Sequence, residues 1–304
     1  MTRAFSYLDH KNLPCIGVEW SDNSATEANR YNFTRAWDFF SQIKLDGKGP
    51  QLNFLQVMVE LDLFLAETFD EVFKTLQEFR PLKDLILTEG APVQVPIARP
   101  QKILCIGRNY REHAKELKNP VPQEPVFFAK ATSALLAHEE PVRLPAEVGR
   151  VDHEAELALV IGKSGSRINQ QTALEHVAGY SILNDVTARE LQKQDVAAGL
   201  PWFRAKSFDS FCPMGPYLVP AGCVPDPHQL DISLTVNGEV RQRASTADMI
   251  FSIGELISFV SRFCTLQPGD IIATGTPEGV GPINHGDVIA VSITGLGELQ
   301  NPVV

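Results

Sequence analysis

The stretch Val151-Asp152-His153-Glu154-Ala155-Glu156-Leu157-Ala158-Leu159-Val160-Ile161-Gly162 governs how the rest of this 304-residue chain is read. Residues 157–161 are apolar without interruption, the pattern of a strand buried on both faces. On a strand, residues two apart face the same side, which pairs Glu154 with Glu156. Neighbouring carboxylates beside a buried run repel each other and resist desolvation, and a cation relieves both problems. A second apolar segment, Gly179-Tyr180-Ser181-Ile182-Leu183-Asn184-Asp185, ends on Asp185 and offers a third oxygen ligand. The same spacing also describes a solvated strand face followed by a turn-forming aspartate.

The composition is that of an ordinary globular protein, long enough for one main domain and a smaller one. Lys and Arg number 27 against 37 Asp and Glu, a net charge of -10. That balance argues against nucleic acid as the main partner. It leaves room for an anionic small substrate, because a bound divalent cation inverts the local field. The five cysteines, Cys15, Cys105, Cys212, Cys223 and Cys264, are widely spaced and form no Cys-x-x-Cys pair. Neither a zinc ribbon nor a disulfide framework is indicated. The N-terminus has no apolar signal core, and the chain has no run of about 18 apolar residues. The expectation is a cytoplasmic protein with no membrane partner.

Residues 1–98 read as a small N-terminal unit, with a strand over 15–20 and a helix over 34–45. The recurrence of Leu55, Met58, Leu61, Phe69, Val72, Phe73 and Leu76 predicts one long helix or two short ones within 53–79. Nothing in this unit looks catalytic, so its expected role is packing or oligomer contacts. Residues 91–100 carry three prolines and read as the linker into a main domain over 99–304.

A strand over 102–106 runs through Gly107 into a helix over 110–117, where His113 and Glu116 share a face. A carboxylate beside an imidazole raises its basicity and fixes its tautomer, which suits a general base. An incidental surface pair has the same spacing. Residues 118–124, with Pro120 and Pro122, read as a mobile segment, and the short helix between the glycine turn and this proline loop reads as a lid. Further strands and helices are expected over 125–130, 169–176 and the residues after Asp185. Lys206 lies among Trp202, Phe203, Phe208 and Phe211, either as a snorkelling surface residue or as an electrostatic partner for a developing enolate. Near the C-terminus, Asn237-Gly238 predicts a hairpin, residues 249–263 a helix and 271–273 a strand. The loop Thr274-Gly275-Thr276-Pro277-Glu278-Gly279-Val280-Gly281 lacks the Lys-Ser/Thr ending of a P-loop. It is an ordinary turn, or a loop whose backbone donors and threonine hydroxyl hold a carboxylate.

Five motifs in order carry a resemblance: Cys-Ile-Gly-Arg-Asn-Tyr-Arg-Glu-His at 105–113, Glu154-Ala155-Glu156, Asn184-Asp185-Val186-Thr187-Ala188-Arg189, Ala205-Lys206-Ser207-Phe208 and the 274–281 loop. Over residues 100–304 the chain resembles the fumarylacetoacetate hydrolase family, most closely its acylpyruvate hydrolase and oxaloacetate decarboxylase branch. The resemblance implies an α+β, β-rich fold: a mixed β-sheet roll, usually a homodimer, with a smaller N-terminal α/β unit. It implies one Mg²⁺ or Mn²⁺ held by Glu154, Glu156 and Asp185, since all-oxygen ligation suits these ions better than Zn²⁺. It implies a lid dyad of His113 and Glu116, and substrate contacts from Lys206, Gln192 and Thr276, with Arg108 and Arg189 in the same motifs. Asp152 shares the strand parity of the glutamates but stands where relatives often carry His, and reads as a structural neighbour of the site.

The implied activity is on a small anionic 2-oxo acid, through an enolate that the ion stabilises. The bond broken is a carbon–carbon bond, by hydrolysis of an acylpyruvate or by decarboxylation of oxaloacetate. The rival expectations are an isomerase or tautomerase of aromatic catabolism, and a non-catalytic metal- or ligand-binding member.

Overall fold

A computed structural model of the chain describes residues 2–21, 29–79, 82–87, 92–116 and 122–304, and only the backbone of 113–115. The architecture is α+β and rich in β-structure, as the resemblance implies. Among the described residues an 11-stranded sheet runs in the order Asn29–Asn32, Pro14–Trp20, Arg3–Leu8, Cys212–Pro220, Val177–Asn184, Ala155–Ile161, Ile271–Ala273, Ile103–Gly107, Val126–Lys130, with two short strands off this path. The sheet is mixed: Ile271–Ala273 runs parallel to Ile103–Gly107 and antiparallel to Ala155–Ile161.

The uninterrupted apolar run has the predicted consequence. Every residue of the Ala155–Ile161 strand is buried. Alternation sends Ala155, Leu157, Leu159 and Ile161 into one hydrophobic cluster, and Ala158 and Val160 into another. Glu156 has the parity of the second set, so a carboxylate stands at the end of a fully apolar face. That cluster also holds Trp37, Phe69, Phe73 and Leu76 from the first part of the chain. The Arg3–Leu8 strand pairs with Cys212–Pro220, so residues before 98 extend the main sheet and share its core. Part of the expected linker is itself a strand, Val93–Gln94, paired with Arg3–Leu8.

The 53–79 periodicity resolves into two helices, Leu55–Glu60 and Ala66–Phe79. The C-terminal helix is shorter than its periodicity suggests, Ile253–Val260, because Ser252 and Glu255 form a capping box that fixes its start. Asn237 and Gly238 adopt φ 53° and 81° between Asp231–Val236 and Glu239–Ser245, the positive dihedrals of a tight hairpin turn.

Candidate active site

Three strand ends converge. Glu154 lies in the break between Val151–His153 and Ala155–Ile161, so it does not share one continuous strand with Glu156. The break is held by side-chain and backbone bonds: Glu154 N donates to Asn184 Oδ1 at 2.9 Å, and Asp185 N donates to Glu154 O at 2.8 Å. These bonds bring Asp185, just past the Val177–Asn184 strand, to the two glutamates. Ligand atoms of Glu154, Glu156 and Asp185 all lie within 4.8 Å of one another, and all three residues are buried.

Three buried cations answer the three carboxylates. Lys206 is 2% exposed and donates to Glu154 Oε2 at 2.8 Å and Asp185 Oδ2 at 2.5 Å. Burial opposes its charge, but the Asp185 and Glu154 carboxylates outweigh burial and hold its pKa above the ordinary lysine value. The snorkelling alternative is therefore excluded. Lys130 donates to Asp185 Oδ1 at 2.5 Å and to Val186 O at 3.3 Å. Arg189 donates to Glu154 through Nη2, to Asp152 Oδ2 through Nε at 2.7 Å and to Gln192 Oε1 through Nη1 at 2.7 Å. Asp152 also accepts from Arg150 Nε at 2.6 Å. It acts as the anchor that orients Arg189, a structural neighbour of the site.

Glu156 is the exception in this network. Its Oε2 accepts from Gly275 N at 2.8 Å, and among the described residues no basic side chain forms an ion pair with it. Burial first, then the Asp185 and Glu154 charges, push its pKa well above the carboxylate range. A buried carboxylate with its neighbours already charged is suited to a divalent cation, and the all-oxygen donor set suits Mg²⁺ or Mn²⁺. Gly275 is required for this contact: its φ is +100°, and a Cβ there would lie 2.8 Å from Asn109 Cβ.

The triad opens into a cavity of about 320 Å³ lined by Arg108, Arg189, Gln192, Lys206 and Thr276, with Trp202 and Val196 on its apolar wall. All five residues expected to contact substrate thus reach one cavity. Arg108, at φ 61°, lies over the Trp202 ring at 5.7 Å. Gly107 permits this wall, since a Cβ there would sit 2.7 Å from Trp202.

The Arg111–Glu116 helix begins one residue later than the expected 110–117 helix, because Tyr110 bridges to Met249, and Leu117 lies outside the described residues. Glu116 accepts from Gly279 N with both carboxylate oxygens at 3.2 Å, which docks the helix end against the glycine-rich loop. The side chain of His113 and residues 117–121, which include the start of the segment expected to be mobile, lie outside the described residues.

Two buried residues escaped the sequence reading. Lys130 ends the strand expected over 125–130 without having been singled out, and Gln242 is the one fully buried side chain of the Glu239–Ser245 strand. Periodicity carries a signal for each, a polar residue on an inward-facing position, but only the partner reveals its use. Replacing Lys130 by Met is expected to lower the stability of the metal-free protein by about 3 kcal/mol, the scale for breaking a buried ion pair. Because Lys130 orients Asp185 and does not line the cavity, kcat/KM should fall about 10- to 100-fold. Thermal melts and steady-state kinetics check this; unchanged stability would remove the ion pair from the account.

The chain has known relatives. The family model described as Fumarylacetoacetate (FAA) hydrolase C-terminal matches residues 102–304. The chain is 48% identical over 199 residues to the mitochondrial oxaloacetate tautomerase FAHD1 of Arabidopsis thaliana, covering 66% of this chain and 89% of that one. The solved fumarylacetoacetate hydrolase of the psychrophile Exiguobacterium antarcticum superposes with a TM-score of 0.78 at 34% identity, covering 100% of this chain and 99% of that one. The fumarylpyruvate hydrolase of Pseudomonas aeruginosa, solved with Mn²⁺ and pyruvate, gives a TM-score of 0.65 at 40% identity, covering 71% and 92%. With the carboxylate triad, the mixed sheet and a family match spanning residues 102–304, the chain belongs to the fumarylacetoacetate hydrolase family.

Proposed function

We propose that the protein is a divalent-metal-dependent enzyme that breaks a carbon–carbon bond in small 2-oxo acids, by hydrolysis of an acylpyruvate or decarboxylation of oxaloacetate. The charge inventory of the cavity carries this reading. Glu154, Glu156 and Asp185, with Asp152 beside them, are balanced by Arg189, Lys130, Lys206 and Arg150, so a divalent ion leaves the site with two positive charges, the complement of a dicarboxylate. Arg108 and Lys193 at the cavity wall add to the same field. One Mg²⁺ or Mn²⁺ held by the three carboxylates would supply Lewis-acid polarisation of the 2-oxo group.

The chain's own groups do the rest. Lys206 holds a fixed positive charge beside the triad, where negative charge develops as the bond to C3 breaks. Arg189 and Gln192, locked together, present a rigid polar edge to the substrate carboxylate. In hydrolysis His113 and Glu116 activate the attacking water; decarboxylation needs no such water.

A second reading is keto–enol tautomerisation of oxaloacetate or isomerisation of a related dienoate. The 48% identity to an oxaloacetate tautomerase favours it. Both readings use proton and electron movement next to a 2-oxo group, and one assay separates them. Oxaloacetate, acetylpyruvate, fumarylpyruvate and ring-cleavage dienoates are incubated with Mn²⁺ or with chelator, while ultraviolet spectra and released pyruvate are followed. Pyruvate release that chelator abolishes is expected. A spectral change without cleavage selects the tautomerase, and stoichiometric Mn²⁺ binding without any turnover leaves a binding protein. In the same proposal the enzyme works as a homodimer in the cytoplasm, and sedimentation equilibrium reads the oligomeric state. Among the described residues no helix is long and apolar enough to cross a membrane.

A further inference from the structure

Gln242 is 1% exposed and its carboxamide makes four hydrogen bonds. Oε1 accepts from Ala155 N at 3.0 Å and contacts His153 Nδ1 at 3.2 Å. Nε2 donates to Pro277 O at 2.8 Å and to Thr276 Oγ1 at 2.8 Å. Two of these partners are backbone groups with one role each: Ala155 N–H only donates and Pro277 C=O only accepts. They fix which end of the carboxamide is oxygen and which is nitrogen. The consequence passes to Thr276. Its oxygen accepts from Gln242, so its own proton is left for another acceptor. Among the described residues the Thr276 hydroxyl donates to no protein group, and Thr276 lines the cavity. The same carboxamide ties the residue between Glu154 and Glu156 to the glycine-rich loop. The fit is close: at Gly279, φ +88°, a Cβ would lie 2.1 Å from Arg241 O.

We propose that Gln242 is a positioning residue of this site, whose buried carboxamide holds the Thr276 hydroxyl as a hydrogen-bond donor to an oxygen of the bound 2-oxo acid. The inference deepens the functional reading above and rests on Thr276 being a ligand contact. Without the Gln242 donor the Thr276 proton is free to turn away from the cavity, and Pro277 O loses its partner. In this proposal Gln242 affects ligand binding through Thr276, so its contribution to that binding should vanish when the hydroxyl is absent.

The test is a double-mutant cycle on the full chain, with Gln242→Met and Thr276→Val singly and together. Binding of oxalate, a planar dianion with the O–C–C–O arrangement of a 2-oxo acid, is measured by calorimetry on protein saturated with Mn²⁺. Each single change is expected to weaken oxalate binding roughly tenfold or more, the scale for a hydrogen bond to a charged acceptor. Gln242→Met in the Thr276→Val background should change it by less than about twofold. Mn²⁺ affinity measured without oxalate should stay within about twofold in every variant, since the triad itself is unaltered.

Equal losses in both backgrounds would overturn the inference, as would a fall in Mn²⁺ affinity matching the fall in oxalate affinity. That second result would make Gln242 a support for the carboxylate strand instead. If Gln242→Met does not fold, Gln242→Glu keeps the Ala155 and His153 contacts through one oxygen and loses at least one donated bond. It is read by the same cycle with the same criteria. Failure of turnover on every 2-oxo acid while oxalate binding stays coupled removes the proposed reaction but not this role. Loss of coupling with turnover intact removes this role but not the reaction.

Discussion

Replacing Glu154 by Gln is expected to lower kcat/KM by about 10³-fold, near 4 kcal/mol of transition-state stabilisation, while the fold persists. The carboxylate is engaged at both oxygens, by Arg189 at Oε1 and Lys206 at Oε2. A carboxamide offers one acceptor where two are needed, and its nitrogen must face one of these donors. Mn²⁺ affinity should fall about 100-fold or more, since even residues that only orient a ligand cost 10- to 100-fold. The melting temperature of the metal-free protein should move little. Removing one charge relieves its repulsion with Glu156 and Asp185 but weakens the pairing of two cations. Calorimetric Mn²⁺ titration beside kinetics decides the matter. Full metal-dependent turnover in Glu154→Gln would show that Glu154 is not a ligand.

Replacing Lys206 by Met should also cost catalysis, about 10²- to 10³-fold, but with opposite effects on metal and stability. The ammonium lies between Glu154 and Asp185 and 5.1 Å from the centre of the Phe128 ring, in a place with almost no solvent. Without it, Glu154 and Asp185 each lose a buried cationic partner. Breaking a buried ion pair in this way costs about 3–5 kcal/mol, so the metal-free protein should melt about 5–10 °C lower. Mn²⁺ should bind at least as tightly as in the native protein, because the ion meets one positive charge fewer. It should also restore more stability than it adds to the native chain. The pair of variants therefore separates a ligand from a charge-balancing neighbour: Glu154→Gln weakens the ion, Lys206→Met does not. If both weaken Mn²⁺ equally, Lys206 orients the ligands and its role as a free electrostatic partner is lost.

These variants start from residues visible in the linear chain. The buried strand at 157–161 was legible because five consecutive apolar residues have few other uses. Glu154, Glu156 and Asp185 were legible because carboxylates beside such runs conflict with desolvation unless something compensates them. The local signals for Lys206 and for the 274–281 loop were ambiguous, and they gained meaning only as members of an ordered set of motifs. The structure removed the ambiguity for Lys206 by enclosing it with two carboxylates. It revised the strand argument too, since Glu154 sits in a break and reaches Glu156 through bonds to Asn184 and Asp185.

Sequence alone determined the apolar layers, the family pattern and the chemical type of the site, because each depends on residue identity and short spacing. Tertiary structure decided which polar groups meet. Lys130 lies 55 residues from Asp185, and Gln242 lies 87 from Ala155 and 34 from Thr276. No periodicity encodes a hydrogen bond across such distances. A buried amide or ammonium must find its partners in the folded chain, and those partners are set by how strands stack and where loops return. The stretches ending at Glu156 and Asp185 supplied the carboxylates, and the fold supplied the three cations paired with them and the carboxamide that ties Ala155 to the glycine-rich loop.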